Sequence, residues 1–293
     1  MRVRELLDGL ACRFSAAGID SARTDARLLA AFAMKVAPVA LRMNPDLEVP
    51  ADVSEKIEEY AARRIRREPV SKILETRGFW SLDFRVTKDV LDPRPDSETL
   101  IETATEIFPD RTKPLEVLDL GTGSGCLALS VLAEYPNATA VGTDVSERAL
   151  AVARENAACN GLSGRFTAVC ADWTHQGWTQ ALNGRRFDLI LSNPPYIAEN
   201  ERETLEPEVV NFDPCEALFG GEDGLDPYRV LAPVLGGMMK ADGAAIFEFG
   251  KGQHEAVRRI FEQNGLVFGR FGTDLGGVVR CITAFREKNA LKA

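Results

Sequence analysis

Asn193-Pro194-Pro195-Tyr196 follows directly on the apolar run Phe187-Asp188-Leu189-Ile190-Leu191-Ser192, which puts a rigid polar cup at a strand's carboxyl end. Two consecutive prolines hold φ at roughly −65° and supply no N–H. The carbonyls of Asn193 and Pro194 therefore cannot be absorbed into a helix or a sheet ladder and are free to accept hydrogen bonds. With the Asn193 side-chain oxygen beside them and the Tyr196 ring over them, the four residues suit the grip of a planar –NH2 group. Such a group is the acceptor in N-methylation of amides and of exocyclic amines. Asn-Pro-Pro also serves as an ordinary turn. Its place after a buried strand in an α/β pattern, at the edge where such folds bind ligands, favours the site.

A second constellation lies upstream. The strand Glu116-Val117-Leu118-Asp119-Leu120 runs into Gly121-Thr122-Gly123-Ser124-Gly125 and then a helix from Cys126. Glycines let a ligand approach the backbone, and the helix start presents unpaired N–H groups to an anion. A pyrophosphate or an amino-acid carboxylate fits equally, and Gly123 to Ala128 even satisfies the relaxed dinucleotide pattern G-x-G-x-x-A. Asp144, ending the next strand, is placed for a bidentate grip on ribose hydroxyls. Asp172-Trp173, ending the third, offers an acceptor for an adenine amine and a ring for stacking, with a core or surface tryptophan as the competing account. These features suit NAD and S-adenosylmethionine alike. The fourth strand end decides for the methyl donor, since it carries Asn-Pro-Pro-Tyr and no hydride-transfer machinery.

The elements that must hold these residues follow from periodicity. From Val3 to about Ile73 apolar residues recur at helical spacing (Leu6, Leu7, Leu10; Leu28, Leu29, Phe32; Ile57, Tyr60, Ala61, Ile65), which predicts a small all-helical domain. Pro38, Pro45 and Pro50 should break it into separate helices and Pro69 should close the last. Residues 78–93 read as a short connecting hairpin, and Pro93-Arg94-Pro95-Asp96-Ser97-Glu98 as a helix start. Strands then alternate with helices: 116–120, 138–144, 165–171, 187–192 and 244–249, with helices from 126, over 146–156 and over 227–239. The sheet should be largely parallel with right-handed crossovers. Segments 266–271 and 278–285, with no helix between them, should end it as an antiparallel hairpin.

Composition narrows the class. At 293 residues, 45% hydrophobic and 27% charged, the chain is an ordinary globular protein with room for one large and one small domain. No run approaches about 18 consecutive apolar residues, and the start lacks a signal-peptide core, so a cytoplasmic protein without membrane association is expected. The six cysteines form no C-x-x-C pair and most should act as small hydrophobes; neither a disulfide framework nor a metal site is expected. His175 and His254 lack ligand-spaced partners. Residues 1–75 carry 13 Lys+Arg against 12 Asp+Glu, and the remainder 22 against 32. An acidic catalytic part speaks against phosphate-driven nucleic-acid binding. The run Arg63-Arg64-Ile65-Arg66-Arg67 reads as the solvated face of a helix.

Pro93-Arg94-Pro95-Asp96-Ser97-Glu98, Leu118 to Gly125, Asp144-Val145-Ser146, Ser192 to Ile197 and Leu218-Phe219-Gly220-Gly221-Glu222-Asp223-Gly224-Leu225, in this order, resemble the release factor glutamine methyltransferases, the HemK/PrmC family. The resemblance implies an α/β fold: a Rossmann-like class I methyltransferase sheet, with a helical substrate-docking domain over 1–75, a hairpin linker over 76–95 and the S-adenosylmethionine-dependent domain over 96–293. It implies methyl transfer from S-adenosylmethionine to the glutamine amide in the Gly-Gly-Gln motif of class I peptide-chain release factors, with no direct nucleic-acid partner. Gly121, Thr122, Gly123, Ser124, Gly125, Asp144, Trp173 and Asn193 fall on cofactor positions, and Asn193, Pro194, Pro195 and Tyr196 on substrate-amide positions. Glu75 to Trp80 and Leu275 to Arg280 depart from the family's usual wording. Glu248-Phe249-Gly250 and Gln253 match a family segment without an evident role, a helix cap being the simpler account. Asn-Pro-Pro-Tyr is also found in adenine-N6 methyltransferases, which makes a nucleic-acid enzyme acting on a flipped base the main rival. A non-enzymatic binding module and an NAD oxidoreductase are further ones.

Overall fold

The computed structural model describes residues 1–287, so residues 288–293 of the expected 96–293 domain lie outside the described ones. The chain divides into two compact units, Met1–Thr76 with Glu206–Phe212, and Arg77–Leu205 with the rest from Asp213.

The first unit is helical: α1 Val3–Ala16, α2 Ala22–Ala33, α3 Pro38–Met43, α4 Ala51–Ile65 and α5 Val70–Leu74. Leu6, Leu10 and Phe14, four apart, form one stripe of α1 and are buried against Leu29, Ala30, Ile57 and Ala61. Pro38 and Pro50 separate the helices as expected, whereas Pro69 acts differently. Pro38 is the first residue of α3, while Pro50 and Pro69 sit at the N-caps of α4 and α5. A fixed φ and a missing N–H cost nothing there, so Pro69 opens a helix instead of closing one.

The arginine run also differs, for only Arg66 is exposed. Arg64 is 5% exposed, its Nε 2.8 Å from Asp25 Oδ2 and its Nη1 3.0 Å from Glu208 Oε1. Arg67 reaches Glu208 Oε2 at 2.7 Å, and Arg63 pairs with Glu68. The partners are remote in sequence, so helical periodicity alone could not reveal them. The segment α9, Pro207–Val210, is thereby tied into the helical unit. Removing one partner of a buried pair strands the other, so Arg64→Ala is expected to destabilise the protein by about 3–5 kcal/mol. Urea denaturation followed by far-UV circular dichroism measures this; a loss below about 1 kcal/mol would contradict the ion-pair account.

The second unit begins with a two-stranded sheet, β1 Thr76–Phe79 and β2 Leu82–Arg85, turned at Trp80, whose φ is +54°. There follow α6 Glu98–Ile107, β3 Glu116–Leu120, α7 Cys126–Glu134, β4 Thr139–Asp144, α8 Glu147–Cys159, β5 Phe166–Cys170 and β6 Phe187–Ser192. The unit ends with α10 Asp226–Met238, β7 Met239–Glu248, α11 His254–Gln263, β8 Leu266–Thr273 and β9 Val279–Arg286. The sheet order is β5-β4-β3-β6-β7-β9-β8, parallel from β5 to β7 and antiparallel through β9 and β8. β9 thus inserts between β7 and β8. β7 starts five residues earlier than the sequence suggests, since Met239 already pairs with Phe187 across a register shift.

Alternation distributes the core over both sheet faces. Val117, Leu189, Leu191 and Ile246 pack on one side, and Leu118, Leu120, Ile190 and Phe247 on the other. Neighbouring strands β3 and β6 send their chains to opposite sides of the sheet, which opens a crevice at their carboxyl ends. Four of the cysteines, Cys12, Cys159, Cys170 and Cys215, are exposed and only Cys281 is fully buried, so most are not the small core hydrophobes expected. An apolar neighbourhood in sequence does not say which helix face a residue occupies.

Candidate active site

The crevice holds a cavity of about 450 Å³ lined by Gly121 and Gly123 after β3, Asp144 after β4, Asp172 and Trp173 after β5, and Asn193 and Pro195 after β6. The fourfold convergence of strand ends expected from sequence is therefore present. Thr122, Ser124 and Gly125 do not line the cavity; they anchor the loop that does. Thr122 Oγ1 donates to Asp119 Oδ2 at 2.7 Å, Asn156 Nδ2 donates to the Ser124 carbonyl at 2.8 Å, and Gly125 is the N-cap of α7. Gly121 has a φ of +74°, and a Cβ there would lie 3.0 Å from the Trp173 ring, so only glycine lets that ring lie against the loop.

Asp144 accepts from Gly123 N at 2.9 Å and Ser146 N at 2.9 Å. Each carboxylate oxygen keeps a lone pair for a diol. Burial pushes its pKa up despite those N–H donors, and Glu216 across the cavity adds to the rise. Asp172 accepts from Thr174 N and Oγ1 and pairs with His175, and the Thr174 hydroxyl leads the causes that hold its pKa down. His175 is a surface residue, and His254 packs edge-on against Phe271.

Five carboxylates line the cavity, Asp89, Asp144, Asp172, Glu216 and Asp226, and among the described residues no lysine or arginine does. These carboxylates give the cavity a charge that suits a sulfonium and an ammonium group, while an anionic part of a ligand would have to lie at the N–H groups of the glycine loop.

Asp119, beneath the loop, is fully buried with its Oδ1 unpartnered. Burial raises its carboxyl to about 7, against the hydrogen bonds from Thr122 and Ala128. Its ordinary value is 3.8, so the folded state prefers the protonated form. The stabilisation is complete below about pH 4 and is lost as pH rises through about 7. Asp119→Asn is therefore expected to gain thermal stability relative to wild type between about pH 5 and pH 8. Calorimetry at both values checks this, and a constant difference in Tm would refute it.

The Asn-Pro-Pro-Tyr cup is held from several sides. Asn193 Nδ2 donates to Ser97 Oγ at 3.0 Å, which leaves Oδ1 to accept. Among the described residues no hydrogen bond reaches the Pro194 carbonyl. The Tyr196 carbonyl accepts from Gln253 Nε2 at 2.9 Å and the Tyr196 hydroxyl donates to Glu248 Oε1 at 3.3 Å. Burial and the Glu248 charge keep that phenol protonated. Gln253 does occupy the N-cap of α11, but its side chain makes no cap bond; it braces the cup instead.

Pro93 to Glu98, a helix start by its local pattern, makes long-range contacts as well. In the fold, Arg94 pairs with Asp213, Asp96 with Arg280, Ser97 receives Asn193, and Glu98 accepts from Trp80 N. Four polar residues interleaved with two prolines are the available signal. Their partners lie too far along the chain for that signal to be read.

The PrmC N-terminal domain family matches residues 5–74 and the Methyltransferase small domain family residues 93–211. The chain is 43% identical to the release factor glutamine methyltransferase of Rhodospirillum rubrum over 96% of this chain and 84% of that one. To the protein of the same name from Cereibacter sphaeroides it is 42% identical over 97% and 98%. Among solved structures it is similar to the hMettl16 catalytic domain bound to an MAT2A 3'UTR hairpin, with a TM-score of 0.57 at 15% identity over 78% and 82% of the chains, which bears on fold alone. With relatives this similar spanning nearly its whole length, the chain belongs to the release factor glutamine methyltransferase family.

Proposed function

We propose that this protein transfers a methyl group from S-adenosylmethionine to the side-chain amide nitrogen of the glutamine in the Gly-Gly-Gln motif of class I peptide-chain release factors. The observation that carries the reading is the polarity of Asn193: with Nδ2 occupied by Ser97, its Oδ1 and the Pro194 carbonyl are two acceptors suited to the two N–H groups of a primary amide. S-adenosylmethionine supplies an electrophilic methyl group on a sulfonium. Gly121, Gly123, Asp144, Asp172, Trp173 and Asn193 would hold it, with Thr122, Ser124 and Gly125 shaping the loop.

An amide nitrogen is a poor nucleophile because its lone pair is delocalised. Two acceptors that fix both N–H bonds hold the nitrogen in line and favour pyramidal character. Pro195 and Tyr196 shape the cup, Tyr196 packing along the amide plane. No base is required before transfer, since the proton on the alkylated nitrogen is acidic and leaves afterwards. In this reading residues 1–75 dock the protein partner, 76–95 link, and 96–293 carry out the transfer.

The test is transfer of labelled methyl to an intact release factor, to the same factor with the glutamine of Gly-Gly-Gln replaced by alanine, and to DNA and RNA. Label on the intact factor alone is expected. Label on nucleic acid alone would move the cup to the adenine-N6 reading.

A further inference from the structure

We propose that Leu275, at the tip of the turn between β8 and β9, is a docking point for the release factor and takes up apolar side chains that flank its Gly-Gly-Gln segment while the glutamine amide enters the cup. The inference rests on the amide-methylation reading and adds an interaction surface to it.

Leu275 is the most exposed large apolar side chain among the described residues, at 102%, against 53% for Val145 and 38% for Val230 in the same unit. Water covers it fully, so a partner that replaces that water gains its whole apolar area. The turn that carries it is braced. Asp274 Oδ1 accepts from Gly276 N at 2.8 Å and Val278 N at 2.9 Å, Oδ2 accepts from Arg280 Nε at 2.6 Å, and the Asp274 carbonyl accepts from Gly277 N at 2.9 Å. A leucine presented on a fixed backbone loses little conformational freedom when it is covered. The charged side chains at the base of the turn, Asp274 and Arg280, pair with each other, so the tip suits an apolar polypeptide and offers no cation to a phosphate backbone.

Strand register sets the tip beside the cup. Ser192 of β6 is level with Phe247 of β7, and Phe247 with Ile282 of β9, so Asn193 stands level with Glu248 and Cys281. β8 pairs Gly272 with Cys281 and Thr273 with Val279. Residues 274–278 therefore project beyond that level, past the sheet edge at which the cup lies and two strands along from it, about 10 Å at the usual strand spacing. The turn is also fixed to the cup's surroundings: Phe249 N donates to the Arg280 carbonyl at 2.9 Å, and Arg280 Nη2 reaches Asp96 Oδ2 at 2.6 Å, next to the Ser97 that receives Asn193.

The occupant follows from the chemistry of the substrate. Glycine has no side chain, so a Gly-Gly-Gln segment offers an enzyme only its glutamine, and further affinity must be drawn from the residues on either side. About three extended residues span 10 Å, which lets a flank of the segment reach Leu275 while the amide lies against Asn193.

The experiment measures kcat and KM for methylation of the intact release factor by wild type, L275A and L275D, with the Kd for S-adenosylmethionine from calorimetric titration and the oligomeric state from sedimentation velocity. KM for the factor is expected to rise about fivefold in L275A and at least about tenfold in L275D, with kcat at saturating factor within about threefold and the cofactor Kd within about twofold of wild type. Thermal melting shows whether the fold persists, and L275A carries the test if L275D melts without cooperativity. A KM within about twofold of wild type in both variants, or a loss confined to kcat, overturns the docking role and leaves the amide reading standing. A wild type that dimerises where L275D is monomeric, with KM unchanged, assigns Leu275 to a second copy of the chain and overturns the proposal likewise. Absence of label on the factor with the wild-type enzyme overturns the amide reading, and this proposal with it.

Discussion

Asn193→Ala is expected to lose about 10²–10³-fold in kcat while the Kd for S-adenosylmethionine rises less than about tenfold. Asn193 is one of many residues lining the cavity, but it supplies the side-chain acceptor of the cup. Deleting the Oδ1 acceptor removes both the orientation of the substrate amide and the stabilisation of charge as the nitrogen pyramidalises. A cofactor bound chiefly by the glycine loop, Asp144 and Trp173 would register the change weakly. Single-turnover methylation together with calorimetric titration of S-adenosylmethionine separates the two effects. Turnover within about threefold of wild type would sink the proposed mechanism.

Gly224→Ala is expected to be nearly as damaging, although residue 224 does not line the cavity. The run Leu218 to Leu225 packs backbone to backbone against the cup: Ile197 N donates to Leu218 O at 3.0 Å and Gly220 N to Ile197 O at 2.9 Å. At Gly224 the φ is +73°, and a Cβ would stand 2.2 Å from the Tyr196 carbonyl and 2.7 Å from Gln253 Nε2. Gly220 is equally tight, 2.4 Å from the Pro195 carbonyl. The Tyr196 and Pro195 carbonyls are backbone and cannot swing aside as a side-chain end can. An added methyl must displace the Asn-Pro-Pro-Tyr backbone and break the Gln253 brace, in a backbone conformation already unfavourable for alanine. A displacement of about 1 Å in the cup is enough to lower kcat by about 10²-fold. The same kinetic assay checks this, with thermal melting to show that the fold persists; a well-folded variant with near-normal kcat would show that the run does not hold the cup.

Much of the fold is legible in the residues themselves. Strands β3 to β7 announce themselves because a parallel sheet covered on both faces requires apolar residues at nearly every position, and short polar or glycine residues cluster where each strand ends. The antiparallel end is legible because residues 264–281 contain no helical stretch between two β-rich segments. Asn193 to Tyr196 could be read as a site since consecutive prolines restrict the backbone whatever surrounds them. Misreadings arose where the deciding partner is distant. Arg64 looked solvated because Asp25 and Glu208 stand 39 and 144 residues away. Ser97 looked like part of a helix start because Asn193 is 96 residues on.

Residues alone settle the class of fold, the strand ends that converge and a restricted backbone at Asn193 to Tyr196, because local sterics and side-chain periodicity act over a few residues. Tertiary structure alone decided that Asn193 Nδ2 is bonded to Ser97, that five carboxylates and, among the described residues, no lysine or arginine line the cavity, and that burial raises Asp119 and Glu248 to about 7. Those properties come from burial and from pairing across the fold. A carboxyl group's charge is set by the water it has lost and the donors brought to it, and neither is a function of its neighbours in sequence.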